Sequence, residues 1–418
     1  MIKKVLRNSI VYIGFDVLNK SIPFLLLPIM TKYLSPTEYG ILASYQALVA
    51  FFIIAISLDT YSGLGVNYYK LSKEELKKYI SALVTISLLT SFLLLFVVII
   101  LNLVNFLPEL FNFEFYVLAV CISLLSVFGQ IILILYRFSE NPVAFGTINF
   151  VSVLTGTAVS LYLIILLGYG WEGRAYGMLM GITLIAFFLF KMMYQENIKL
   201  NIIDAKYIKD ALIIGLPLLP HALAGFIKNG ADRFILISLI GISSVGIYSV
   251  SFQIATVIMV LASGINMAWS PYLYKQLSFE NCNKEQLVKY SYFIMVAFFL
   301  FTFIYLFIIE VIFSHFINIS YASGMFLAQL ISLAFSLEII YYMFVNFLFY
   351  AKKTIYVSYS TFLSAAVYFL FLYILTPDYG INGIGIALVL SYIVSTISVI
   401  AFSVNIYKMP WLTIWRVK

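Results

Sequence analysis

Long apolar runs separated by short polar stretches fill this chain from end to end. Twelve runs come near the twenty or so residues that a helix needs to cross a bilayer. They fall at about 9–31, 39–63, 80–103, 115–136, 143–167, 173–193, 210–235, 243–268, 288–313, 322–349, 354–376 and 381–406. The pattern predicts an all-α, polytopic membrane protein with about twelve transmembrane helices. The polar connections are too short to hold a soluble domain. Lys3, Lys4 and Arg7 lead straight into the first run, and no small-residue cleavage site follows, so no cleavable signal is expected.

Prolines punctuate this pattern unevenly. Six of the ten lie between runs or at their ends. The other four lie inside runs as two pairs, Pro23 with Pro28 in the first and Pro217 with Pro220 in the seventh. The same two runs carry charges: Asp16 and Lys20 in one, Lys228, Asp232 and Arg233 in the other. A proline in a membrane helix frees a backbone carbonyl, which is tolerated where protein or a wet cavity satisfies it. A charge at that depth costs roughly 3 kcal/mol on insertion scales, so it faces a cavity or a partner. Both runs are therefore expected to be broken helices beside a cavity, as in many transporters.

Composition agrees: 63% of residues are hydrophobic and 10% charged. The net charge of +7 would suggest nucleic acid in a soluble protein. Here it reads as topology, with no nucleic-acid partner. With the N-terminus placed in the cytoplasm, connections on that side hold 20 of the 25 lysines and arginines, and the opposite side holds only Lys32 and Arg174. This bias predicts that both termini are cytoplasmic. Cys121 and Cys282 are too far apart to suggest a disulfide framework or metal site, and the two histidines lack paired-ligand spacing. No cofactor is expected.

The two halves resemble each other. Tyr169-Gly170-Trp171-Glu172-Gly173 opens the sixth run, and Tyr379-Gly380-Ile381-Asn382-Gly383 opens the twelfth, 210 residues later. Gly40-Ile41 recurs as Gly246-Ile247, 206 residues on. Six spans per half is even, so the halves are expected to be parallel repeats, 1–205 and 206–418, around a central cavity. Alternating access would be a rocking of one half against the other.

Several segments resemble a known family. They are Gly-Leu-Pro-Leu-Leu-Pro at 215–220, Ala231-Asp232-Arg233, Val245-Gly246-Ile247-Tyr248-Ser249, Ala268-Trp269-Ser270-Pro271-Tyr272 and Leu34-Ser35-Pro36-Thr37-Glu38-Tyr39-Gly40. Together they resemble the Wzx-type polysaccharide flippases of the multidrug/oligosaccharidyl-lipid/polysaccharide exporter superfamily. The resemblance implies translocation of an undecaprenyl-diphosphate-linked oligosaccharide repeat unit across the bacterial inner membrane, for O-antigen, lipopolysaccharide or capsule synthesis. The partners so implied are that lipid-linked oligosaccharide, membrane lipid, a coupling proton or sodium ion, and a polysaccharide polymerase assembly.

Lys20, Lys228 and Arg233 are the candidate substrate-binding residues. Arg233 offers a planar fork to a diphosphate and Lys228 a point charge. Positions 221, 225, 228 and 232 stack on one α-helical face, so Lys228 and Asp232 could instead neutralise each other. Asp16, Asp232 and Glu338 are the candidates for coupling or charge pairing. Glu338, alone in mid-span, either takes a proton or pairs with a distant cation. Arg174 with Glu172 reads as a pair at the mouth. No Walker-type loop, metal cluster or activated nucleophile is present, so no enzyme is expected. The competing reading is a multidrug or cation efflux antiporter of the same superfamily, whose cavity should be acidic. Lys20, Lys228 and Arg233 against Asp16 and Asp232 give the opposite sign.

Overall fold

A computed structural model describes the backbone of residues 2–198, 200 and 204–411. The side chains of residues 1–10, 12, 13, 16, 17, 20, 221, 224, 228 and 229 lie outside that description. The described residues are helical, without a strand. In chain order the helices are α1 (Ile2–Tyr33), α2 (Pro36–Ser57), α3 (Ser62–Asn67), α4 (Lys73–Leu103), α5 (Phe113–Phe138), α6 (Pro142–Leu161) and α7 (Gly170–Gln195). There follow α8 (Ala205–Phe226), α9 (Asp232–Ile240), α10 (Ile242–Leu277), α11 (Lys284–His315), α12 (Gly324–Tyr350), α13 (Ile355–Tyr379) and α14 (Ile381–Ile406). Ten helical stretches are long and apolar enough to cross a membrane. The 32-residue α1 and the run from α8 through α9 coincide with the other two expected runs. The chain is a multi-pass membrane protein.

Local chemistry sets the helix starts. Ser35 and Glu38 form a capping box before α2: Glu38 N–H donates to Ser35 Oγ (3.3 Å), and Ser35 N–H donates to Glu38 Oε2 (2.9 Å). Pro36 stands at the first turn, where its missing N–H costs nothing. Ser72 and Glu75 repeat the box at α4. Asn141 and Asn283 cap α6 and α11.

Three irregularities depart from the sequence reading. The second span is not continuous. It breaks between α2 and α3, where Leu58 and Asp59 take left-handed φ of 47° and 54°. A non-glycine residue there costs roughly 1–2 kcal/mol. The break is tied by Thr60 Oγ1–H to Ser57 O (2.7 Å) and Ser62 Oγ–H to Asp59 Oδ1 (2.8 Å). The other two are π-helical turns, at Tyr162–Leu166 and Ile227–Ala231. The expected breaks at the prolines do not occur. Helix α1 continues through Pro23 and Pro28, and α8 through Pro217 and Pro220. Each proline removes one backbone donor without interrupting its helix.

The chain forms two compact units, Met1–Ile235 and Leu236–Lys418. In the first, α2 packs on α4 and α5, α4 on α5, and α7 on α5 and α6; α1 lies on α6. Helix α8 also belongs to this unit. Gly215 sits against the α2–α3 break, where a Cβ would lie 2.6 Å from Leu58 O. Asn67 Nδ2–H donates to Asp210 Oδ2 (2.8 Å), and Tyr207 O–H donates to Glu75 Oε1 (3.3 Å). In the second unit, α10 packs on α11 and α12, α11 on α12, and α14 on α12 and α13.

Close helix pairs are made by small residues, as expected where dispersion and hydrogen bonds replace the hydrophobic effect. Between α6 and α7, Gly156, Gly177 and Gly181 meet backbone to backbone, and Ser152 Oγ–H donates to Gly181 O (2.5 Å). Between α13 and α14, serines do this: Ser360 Oγ–H to Ser395 O (3.0 Å) and Ser391 Oγ–H to Ser364 O (2.8 Å).

Candidate functional site

Among the clefts on the first unit, two share a wall of α2. The first, about 260 Å³, lies between α2 and the π turn that precedes α9. Ala43, Ala47 and Ala50 give α2 a small-residue face there. Phe226, Gly230 and Arg233 close the other side. A Cβ on Gly230 would meet the Phe226 ring at 2.9 Å, so glycine fits the turn against that ring. Arg233 Nη1 lies 3.3 Å from Asp232 Oδ1, with the Asp232 carboxylate 2% exposed and the Arg233 side chain 15%.

The π turn changes the geometry expected from the sequence. α-Helical phasing would stack position 228 under 232, but the wider turn at 227–231 interrupts that phase. π turns occur frequently at functional sites. Lys20, Lys228 and Asp16 lie outside the described side chains, so Arg233 and Asp232 are the described members of the expected charge set.

The second cleft, about 440 Å³, runs between α2, α5, α6 and α7. Gln46, Ser126, Asn149, Ser152 and Arg174 line it, among Ile122, Met178 and Ile182. Gln46 and Ala50 line both clefts. Arg174 was expected to pair with Glu172, and it does not. Two residues apart on a helix, their side chains leave on different faces. The Arg174 guanidinium turns inward and donates from Nη1 to Ser160 Oγ (3.1 Å), and Ser160 donates on to Gly156 O (2.6 Å). Among the described residues Arg174 has no carboxylate partner. Buried Tyr39 lies within electrostatic range of both Arg174 and Arg233. Sequence reasoning assigned Arg174 to the mouth and passed over Gln46. The one available signal was the Arg174-x-x-Gly177 spacing, which puts the arginine one turn from a close helix contact.

Glu338 belongs to the second unit. It stands on α12, where Tyr392 of α14 donates its hydroxyl to Glu338 Oε1 at 3.4 Å. Tyr341 and Tyr342 follow it on α12 and pack edge to face, centroids 5.8 Å apart.

A family model described as "Polysaccharide biosynthesis protein" matches residues 5–276. A protein of the Lsg locus of Haemophilus influenzae is 24% identical over 373 residues, covering 87% of this chain and 90% of that one. Among solved structures, the inward closed form of the lipid II flippase MurJ superposes with a TM-score of 0.73 at 15% identity, over 96% of this chain and 87% of that one. An outward-facing multidrug resistance transporter of the MATE family, in the MOP superfamily, gives 0.58 at 17% identity, over 96% and 94%. The fold is the one these flippases and transporters share.

Proposed function

The chain belongs to the polysaccharide biosynthesis protein family, and from that premise we propose that it is a lipid-linked oligosaccharide flippase. Its cargo would be a repeat unit on undecaprenyl diphosphate, carried from the cytoplasmic to the outer leaflet of the bacterial inner membrane by alternating access. The product would be O-antigen or capsular polysaccharide. The observation that carries this reading is the pair of clefts on the first unit, each holding an arginine, Arg233 and Arg174. A carrier of organic cations would want carboxylates there.

In this reading Arg233 binds the diphosphate, with Lys20 and Lys228 adding charge, and Asp232 orients Arg233. The polyprenyl tail stays in lipid. Outward movement of an anion is favoured by an inside-negative potential, by about 2.3 kcal/mol per charge per 100 mV. Glu338 and Asp16 are the residues through which a proton or sodium ion would couple. The competing reading, a multidrug efflux antiporter, draws on the fold shared with the MATE transporter.

Reconstitution separates the two. Purified protein in liposomes should move a short undecaprenyl-diphosphate-linked oligosaccharide between leaflets, and should not accumulate ethidium against a proton or sodium gradient. Ethidium transport without movement of the lipid-linked sugar would reverse the assignment.

A further inference from the structure

We propose that the 440 Å³ cleft inside the first unit is a saccharide subsite, and that Arg174 selects there for a sugar bearing a carboxylate. The inference rests on reading the chain as a carrier of lipid-linked saccharides, and it names the class of sugar.

Three features point this way. The first is unbalanced charge. Arg233 has Asp232 beside it, whereas Arg174 has only the Ser160 hydroxyl and no carboxylate among the described residues. Arg174 is half-buried at the wall of this cleft, and a cation at that depth is best met by an anion. In this cleft the ligand would supply that anion. One Arg174 nitrogen is spent on Ser160, and the rest of the planar fork remains to meet a single carboxylate.

The second feature is the convergence of polar groups. Gln46, Ser126, Asn149 and Arg174 come from four different helices, α2, α5, α6 and α7. The Asn149 amide makes no hydrogen bond within the described structure, so its donors and acceptor remain for sugar hydroxyls. Ile122 and Met178 provide apolar walls for the C–H faces of a ring. The volume falls within the roughly 300–1,000 Å³ usual for small-molecule sites.

The third feature is how the arginine is held. A Cβ on Gly177 would run onto Ser160 Oγ, the atom that fixes Arg174. Glycine at 177 keeps both the helix contact and the arginine's inward direction. Gln46 and Ala50 line both clefts. One ligand with its diphosphate at Arg233 and an acidic sugar at Arg174 would therefore occupy neighbouring walls of α2.

The test uses the full-length protein in liposomes and two probes. One is an undecaprenyl-diphosphate trisaccharide ending in a uronic acid. The other is the same molecule with that uronate reduced to the neutral hexose. The wild-type protein should prefer the acidic probe by about tenfold or more, the worth of one charge-assisted hydrogen-bond pair. In R174Q the ratio between the probes should fall to near one, whatever the absolute rates. R174K keeps the charge but not the fork, and should fall in between. It serves where R174Q does not accumulate, and a full wild-type ratio in R174K would overturn the fork-on-carboxylate geometry. Equal handling of both probes by the wild type, or an unchanged ratio in R174Q, overturns the acidic-sugar subsite and leaves the carrier reading standing. Movement of neither probe fails the carrier reading itself.

Discussion

Helices α2 and α4–α7 of the first unit pack on one another in the same order as α10–α14 of the second, yet only the first set is interrupted. The break at Leu58–Tyr61 and both π turns lie in the first unit. Helices α10–α14 run without a break, even through Pro271 and Pro377. The two anchors of the repeat agree in backbone as well as sequence: Gly170 has φ of 54° and Gly380 of 55°. Counting from these anchors, Arg174 corresponds to Ile384, Gly177 to Ala387 and Ile182 to Tyr392, and counting from Gly40 and Gly246, 206 residues apart, Gln46 corresponds to Phe252. Where the first unit keeps polar side chains around its clefts, the matching positions of the second carry apolar and aromatic ones. Tyr248, Phe252, Phe335 and Tyr392 form a chain of rings 5.4–5.7 Å apart, and Ile384 is fully buried. The two units thus differ in what lies at these positions, a polar cleft wall in one and a chain of packed rings in the other. One of the irregularities, the π turn at 227–231, lines the smaller cleft through Gly230.

Charge reversal should expose this contrast most strongly. Arg233→Glu places a carboxylate in the smaller cleft and should reduce surface glycan about a hundredfold or more, with Arg233→Ala costing about tenfold. Protein levels should stay near normal, as read by immunoblot beside glycan staining. Normal export by both variants would make Arg233 a structural partner of Asp232, and the diphosphate assignment would fall.

The next test exchanges the two interiors. Gln46→Phe should fill the clefts and slow transport several-fold while leaving thermal stability level. Phe252→Gln should do the opposite. It removes the middle of the ring chain and buries an amide, which should destabilise the protein by about 3 kcal/mol. A thermal melt in detergent beside a flipping assay reads both. Equal stability losses in the two variants would show that the first unit is packed as tightly as the second.

Much of this architecture was legible in the sequence. All twelve runs emerged as helices, because hydropathy alone decides what can cross a bilayer. The likeness of the Tyr-Gly segments extends to the backbone, since Gly170 and Gly380 both take a positive φ that glycine tolerates best. The irregular segments were legible only in part: the seventh run, expected to be broken, is interrupted at 227–231 rather than at its prolines. Prolines pointed to α1 and α8, whereas the break and π turns fall at 58–61, 162–166 and 227–231, none of which contains a proline. A helix with neighbours on several sides absorbs a lost donor. At 227–231 the π turn seats Gly230 under the Phe226 ring of its own run, with Ala47 of α2 at 3.9 Å from where a Cβ would lie. The sequence located Arg233, by its charge in an apolar run, but misread Arg174. Its direction depends on Ser160, fourteen residues away on another helix.

Glycine exchange gives a smaller effect. At Gly177 a Cβ would come within 2.5 Å of Gly156 O, while the matching Ala387 already carries one. Gly177→Ala should therefore cost about 1–3 kcal/mol by overpacking. Ala387→Gly should cost only about 1 kcal/mol, chiefly through helix propensity. Chemical denaturation or a melt series would order them, and a neutral Gly177→Ala would remove the close contact as the reason for glycine there.

The smallest expected effect concerns the carboxylate of the packed unit. Tyr392 reaches Glu338 at 3.4 Å, near the outer limit of a hydrogen bond, so the contact is weak in spite of its charge. Tyr392→Phe keeps the ring against Phe335, 5.6 Å between centroids, and removes only the hydroxyl. It should lower stability by about 1 kcal/mol or less, within the usual net worth of a hydrogen bond. If Glu338 carries a coupling proton, losing this donor should shift the pH at which an imposed proton gradient drives transport, while export at zero gradient changes little. Glu338→Gln should remove the response to the gradient altogether. A Tyr392→Phe protein destabilised by several kcal/mol would mean that the hydroxyl holds α12 and α14 together. The carboxylate would then belong to the packing of the second unit, and the coupling role would pass to Asp16.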